Sequence, residues 1–232
     1  VLVALGDEGD ARADWPGYNE EVRVKDLALS PALAGFKPDA QLGRLNVTTS
    51  QGAVNGVYEK LYAYGARSFS IWNAQGQQVF DSGDQLEQLT KDLPQAKFNA
   101  SHSGNSQDDR SDNKGPEPEG LAVAKVFGRT VAFVGLERIG GVMAFDISNP
   151  AKPAYLTYTN SSVFTGVGGA NFATAGAPAG DVSPEGVLFV KASDSPTGDP
   201  LVIVAHELSG TTAIYKVVGG VTAPSRPMNV VA

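Results

Sequence analysis

Two stretches of this chain follow one plan, and that repeat limits the fold more than any other feature of the sequence. "TVAFVGLERIGGVMAFDI" and "PLVIVAHELSGTTAIYKV" each read as an apolar strand, a glutamate at its end, a small-residue turn with glycine, and a second strand. Glu137 and Glu207 stand 70 residues apart, Gly141 and Gly210 69 apart, and the preceding "PEG" triplets place Glu119 and Glu185 66 apart. "KLYAYGARSFSIWNAQGQQVFDS" reads as a third copy, with Arg67 near the turn where the others carry glutamate. "VLVALGDEGD" reads as the first strand and turn of a fourth, with Glu8 in the glutamate position. Units that each supply a small sheet and recur at a long period make a β-propeller, and a β-sandwich is the alternative. The fold class predicted is all-β, a β-propeller of about three to four blades, where rings typically have about 4 to 8. That count suits either a four-bladed ring with insertions or half of a larger one. The apolar start "VLVAL" resembles the middle of a buried strand and favours a piece of something longer.

Strand signals dominate the rest: "EVRVKDL", "SFSIWN", "QQVFDS", "LAVAKVF" and "AYLTYT" are short, rich in β-branched and aromatic residues, and bounded by Gly, Asn, Asp and Pro. One short helix is expected in "DSGDQLEQLTKDLP", with Leu86, Leu89 and Leu93 on one face, Ser or Asp as its cap and Pro94 as its stop. Residues 99–115 and 164–181 read as long polar or small-residue loops, a kind that is usually functional or mobile. The domain reading is residues 1–218 as the propeller or part of one, and 219–232 as a tail or closing segment.

Composition removes several classes of function. The chain carries 18 Lys and Arg against 25 Asp and Glu, a net charge of −7, so neither nucleic acid nor an anionic membrane is an expected partner. It has no cysteine, which excludes disulfides, thiolate metal sites and cysteine nucleophiles. No run approaches the roughly 20 apolar residues of a membrane span. Neither a G-x-S-x-G elbow nor a phosphate loop of the G-x-x-x-x-G-K type occurs.

The chemistry is concentrated in carboxylates and arginines. In "SDNKGPEPEGLAV", Asp112, Glu117 and Glu119 crowd together, and like charges so close need either open solvent or a cation. If strand ends of successive units gather at one channel mouth, Glu8, Glu119, Glu137, Glu185 and Glu207 meet there. Together with Asp10 they offer the oxygens that Ca²⁺ takes, six to eight in all with carbonyls and water. Pro116, Pro118 and Pro184 would fix the approach of the chain, and Gly120 and Gly186 would let backbones pass closely. Arg12, Arg67, Arg110 and Arg138 recur near the same places, and guanidinium suits phosphate or carboxylate. His206, just before Glu207, is a candidate ligand or general base, whereas His102 in the polar loop is read as solvated. The bland alternative is that these acids and arginines bridge one another and pin the units together.

With "EGDAR", "EEVRVKDL", "YGARSFSIW", "KGPEPEGL", "GLERIGGVMAFDISNP", "SPEG" and "SGTTAIY" in view, the sequence resembles the choice-of-anchor I family from about Leu5 to Val217. These are large secreted or surface-attached bacterial propeller proteins, often labelled alkaline phosphatase-like or related to esterase-like phytases. The resemblance implies export to the cell surface, the exterior or the periplasm, a propeller fold, and phosphoester chemistry. Two departures stand out. "TTSQGAVNGVYEK" takes the place of an Asp- and Gly-rich, calcium-loop-like stretch, and His206 precedes Glu207 where Asn is common.

Two functions follow as expectations. The first is an exported propeller holding Ca²⁺ or another divalent cation through Glu8, Asp10, Glu119, Glu185 and Glu207. It would hydrolyse a small phosphate ester with Glu137, Arg138, Arg67 and His206, its anionic ligand being clamped by the arginines. The second is a non-catalytic surface or matrix module used for adhesion or assembly, with the remainder of a propeller or a second copy as partner.

Overall fold

A computed structural model describes residues 1–13, 15–93, 97–102, 107–163, 180–219 and 229–231. In chain order these form β1 (Leu2–Gly6), β2 (Glu21–Arg23), β3 (Asn46–Thr48), β4 (Ala53–Val54), β5 (Val57–Tyr58), β6 (Phe69–Asn73) and β7 (Gln78–Asp81). There follow α1 (Gln85–Lys91), β8 (Pro118–Val126), β9 (Arg129–Leu136), β10 (Val142–Asp146), β11 (Ala154–Thr159), β12 (Pro184–Val190), β13 (Leu201–His206), β14 (Thr211–Val218) and β15 (Asn229–Val231). The all-β expectation holds, with one short α-helix among the described residues beside two single 3-10 turns, Val24–Asp26 and Ala34–Phe36. No helix among them is long and apolar enough to cross a membrane.

Three antiparallel sheets carry the molecule. Sheet 1 runs β1-β6-β7, sheet 2 β11-β10-β9-β8 and sheet 3 β12-β13-β14-β15. The last two are up-and-down meanders that match register for register. Gly135 faces Val142 in sheet 2 as Ala205 faces Thr212 in sheet 3, which makes Gly140 the partner of Gly210, 70 residues on, like the glutamates. The shorter 66-residue spacing of the "PEG" triplets arises because the β12–β13 loop, residues 191–200, is longer than the two-residue β8–β9 turn.

Sheet 1 corrects the count of units. The expected third and fourth copies are one unit: β1 pairs with β6, Leu5 opposite Ser70 and Gly6 opposite Phe69, although 62 residues separate Gly6 from Phe69. "KLYAYG" is not a strand, because its place in the sheet is filled by β1. The inserted residues form two small hairpins, β2-β3 and β4-β5, around Val24, Leu27 and Val47.

The core lies between the sheets. β9 alternates strictly: Val131 and Phe133 face sheet 3 with Val202, Val204 and Tyr215, while Ala132, Val134 and Leu136 face sheet 1 with Phe69 and Ile71. Sheet 2 is therefore the middle layer, apolar on both faces, which explains its near-continuous apolar strands. Phe69 and Phe145 join sheets 1 and 2 with ring centroids 4.8 Å apart, and Phe133 stacks on Phe189 across sheets 2 and 3 at 6.0 Å. α1 adds Leu86 and Leu89 to the first of these layers, and Leu93 just past its end joins them, as the spacing predicts. Its Asp84 makes no side-chain cap, and the Gln85 amide donates instead to the Ser82 carbonyl. Pro94, most of the 164–181 loop and most of the 219–232 segment lie outside the described residues, apart from β15, which pairs with β14.

Two glycines set how closely the sheets approach. A Cβ on Gly6 would sit 2.6 Å from the Pro118 carbonyl oxygen, and one on Gly120 would collide with the carbonyl oxygen of Glu185. The "PEG" backbones of sheets 2 and 3 and the end of β1 thus touch, as the close-approach reading expects of Gly120. Gly186 has no such neighbour, only the Ala205 Cβ at 3.4 Å.

Candidate functional site

The two "PEG" triplets use the same local device. Glu117 and Ser183, each just before the proline, are fully buried with φ of 52° and 67°. Their carbonyls accept the amides of the next strand's terminal glutamates: Glu137 N donates to Glu117 O at 2.8 Å, and Glu207 N to Ser183 O at 2.9 Å. A register shift follows each, between Pro118 and Leu121 and between Pro184 and Gly186, and such bulges re-aim the side chains they carry. Glu119 and Glu185 sit in these bulges.

What the bulge at Glu119 reaches is a set of acids and bases from three stretches of chain. Carboxylate oxygens of Glu8, Glu119 and Glu137 all lie within 4.8 Å of one another. Beneath them Glu117 takes three cations: Arg110, Arg138 Nε at 2.7 Å and Lys114 Nζ at 3.1 Å. Lys114 also holds Glu8 at 2.9 Å and reaches Asp10 at 3.3 Å. Glu137 receives Ser183 Oγ at 3.1 Å, has Arg138 Nε at 3.3 Å, and lies 3.4 Å from His102 Nδ1.

The three clustered carboxyls have different electrostatic fates. Burial acts to raise Glu137, but the His102 hydrogen bond, the Arg138 charge and Ser183 outweigh it and hold it low, at about 2. Glu8 is raised, chiefly by burial, with Lys114 opposing and the charges of Glu117 and Glu137 adding. Among the described residues Glu119 has no basic partner, and burial together with the charges of Glu8, Glu137, Glu185 and Glu207 pushes it up to about 7. Four acids, Glu8, Glu117, Glu119 and Glu137, face three permanent cations, Lys114, Arg110 and Arg138, and Glu119 is the acid left over. A carboxylate so placed can be neutralised by a proton.

The remaining expected residues are placed as follows. Glu185 and Glu207 are exposed beside the cluster, near enough for their charges to act on Glu119. Asp10 is exposed and joins only through Lys114. Arg138 is within the cluster, gripped by Glu117 and Glu137. Arg67 is directed elsewhere: φ of 62° aims it at Glu87 (2.9 Å) and the carbonyls of Ser111 (2.6 Å) and Asn113 (2.8 Å). His206 is buried in sheet 3 beside Asp181, its Nδ1 without a hydrogen-bond partner, and burial lowers its pKa.

His102 overturns its reading as a solvated residue. It is mostly buried, with Nδ1 2.7 Å from Arg138 Nη1. The polar loop that carries it is anchored at several points, with Asp112 on Arg23 at 2.6 Å, Asp108 on Arg44 at 3.1 Å and Asn99 fully buried. The crowded acids of "SDNKGPEPEG" thus resolve three ways: Asp112 takes an arginine, Glu117 takes three cations, and Glu119 takes none among the described residues. Glu117 and Lys114 have no place in the site as read from sequence. The signal that could have found Glu117 is its alignment with Ser183, a residue before proline that the repeat keeps buried.

Comparison with known proteins bears on what such a site belongs to. The choice-of-anchor I domain model matches residues 2–150. The chain belongs to the choice-of-anchor I family. It is also 35% identical over 194 residues to Gigasin-3a of Magallana gigas, covering 81% of this chain and 68% of that protein. No solved structure matches. Membership of the family supports a surface or extracellular β-sheet protein.

Proposed function

We propose that this protein is an extracellular or surface β-propeller, or part of one, that binds one divalent cation, Ca²⁺ by preference, through Glu8, Glu119 and Glu137. The observation that carries the reading is that three carboxylates from separate stretches converge within 4.8 Å while one of them, Glu119, has no basic partner among the described residues. An all-oxygen donor set of carboxylates suits a hard cation, and the exposed Glu185 and Glu207 add to the field that draws it in. Such a cation would tie the end of β1 to sheet 2, and this suits a module used for adhesion or assembly.

Hydrolysis of a small phosphate ester is a second reading, favoured by a guanidinium, Arg138, and an imidazole, His102, at the cluster's wall. Against it, Arg138 is already held by two carboxylates and Arg67 is bonded to Glu87 and the 111–113 backbone. Calorimetric titration with Ca²⁺ tests the binding reading. One site is expected in the intact protein, weakened at least tenfold by Glu119→Gln, and the absence of any saturable heat in the intact protein would refute it. Turnover of a chromogenic phosphate monoester that requires Ca²⁺ would decide for the second reading over the first.

A further inference from the structure

The chain contains a single Asn-Gly pair, Asn55-Gly56, and it forms the whole connection of the β4–β5 hairpin. Both residues have positive φ, 51° and 80°, as the central residues of a type I′ turn require, and Asn-Gly is the pair that this turn prefers. The same pair is reactive. Glycine has no side chain to shield its amide nitrogen, and the Gly56 nitrogen is the nucleophile next in the chain to the Asn55 carboxamide.

The surroundings leave that attack open. Asn55 and Gly56 are both exposed, and a Cβ on Gly56 would meet nothing within 4 Å. Among the described residues, neither the Asn55 side chain nor the Gly56 amide makes a hydrogen bond. The ladder beside the turn has only two pairs, Ala53 with Tyr58 and Val54 with Val57, and both β4 residues are exposed, so the hairpin tip opens at little cost. Other asparagines are protected. Asn73 Oδ1 accepts the amides of Gln75 and Gln77, Asn99 is fully buried, and Asn160 Nδ2 donates to the Ile139 carbonyl. Asn149 precedes a proline, whose nitrogen has no proton to give up.

We propose that Asn55 is a modification site at which the folded protein loses ammonia without an enzyme. The Gly56 nitrogen bonds to Asn55 Cγ and passes its proton through base to Nδ2. The Cγ–Nδ2 bond breaks, Nδ2 leaves as ammonia, and a succinimide ring closes. Water then opens the ring at either carbonyl, its proton returning to the ring nitrogen, to give an aspartyl or an isoaspartyl residue with an added negative charge. The isoaspartyl product carries an extra carbon in the main chain, which a two-residue turn cannot hold in register. β5 stays in place, because Tyr58 N donates to Ala28 O at 2.8 Å, Ser30 N donates to Tyr58 O at 3.0 Å, and the Tyr58 ring packs on Val24, Leu27 and Val47. The modification therefore releases β4 alone. It is independent of the cation reading, since neither Asn55 nor Gly56 belongs to the acidic cluster.

Mass spectrometry of the peptide spanning residues 53–59, after the full chain is held in mildly alkaline buffer, tests the proposal. The expected result is conversion of amide to acid at Asn55, with isoaspartate detected there by methyltransferase labelling. The rate should lie within about tenfold of that for the same chain in guanidinium chloride, because an exposed hairpin tip opens readily. Asn55→Ser should abolish both signals and leave Ca²⁺ binding unchanged. A folded chain that converts far more slowly than the denatured one, or that converts first at another asparagine, would overturn the proposal.

Discussion

Glu117 and Glu119 are two residues apart and have opposite fates. Glu117 is fully buried among Arg110, Arg138 and Lys114, so Glu117→Gln would leave three cations short of their counter-charge. Breaking a buried pair from one side costs about 3–5 kcal/mol, and we expect a loss of that order in chemical denaturation. Glu119 behaves in the reverse way. Its folded pKa of about 7 is above the ordinary 4.5, so the folded state holds its proton more tightly than the unfolded chain does. Its ionisation therefore destabilises the metal-free fold progressively as pH rises from 4.5 to about 7, and not at all below that window. Glu119→Gln should raise metal-free stability by about 1 kcal/mol at about pH 8, the raw shift being discounted for solvent exposure, and leave it unchanged near pH 4. Glu137, held low at about 2, has the other sign: its stabilisation is present above 4.5 and is lost as pH falls through about 2.

At the scale of elements, the close approach at Gly120 sets how sheets 2 and 3 pack. Its missing Cβ is where the Glu185 carbonyl sits, so Gly120→Ala must push sheets 2 and 3 apart, at a cost of about 1–3 kcal/mol. Gly35→Ala, with nothing within 4 Å of the new atom, is the control and should stay within about 0.5 kcal/mol in the same thermal melts. Legibility in the sequence varied by element for identifiable reasons. The β9–β10 and β13–β14 hairpins could be read because apolar runs joined by a short glycine turn have no other local solution. The β1–β6 pair could not, because periodicity does not record a partner beyond 62 intervening residues, and "KLYAYG" imitates the strand that β1 supplies. Within the site, the recurring glutamates revealed Glu119 and Glu137, since a repeat that returns a strand to the same place returns its end to the same place. His102, Lys114 and Glu117 were not legible as members: their meeting depends on the path of an irregular loop, which has no period to read.

In the whole molecule, three sheets are packed so that the ends of their strands bring more negative than positive charge to one point. A cation bound there, as proposed, would compete with the Glu119 proton. Ca²⁺ affinity should therefore rise about tenfold per pH unit below about pH 7 and level off above it, as calorimetry across a pH series would register. The most direct test is the titration of the Glu119 carboxyl itself, followed by its ¹³C chemical shift in selectively labelled protein with and without Ca²⁺. The account predicts a midpoint near 7 in the metal-free protein, falling below about 5 when Ca²⁺ is saturating. A midpoint at the ordinary 4.5 that Ca²⁺ leaves unmoved would contradict it.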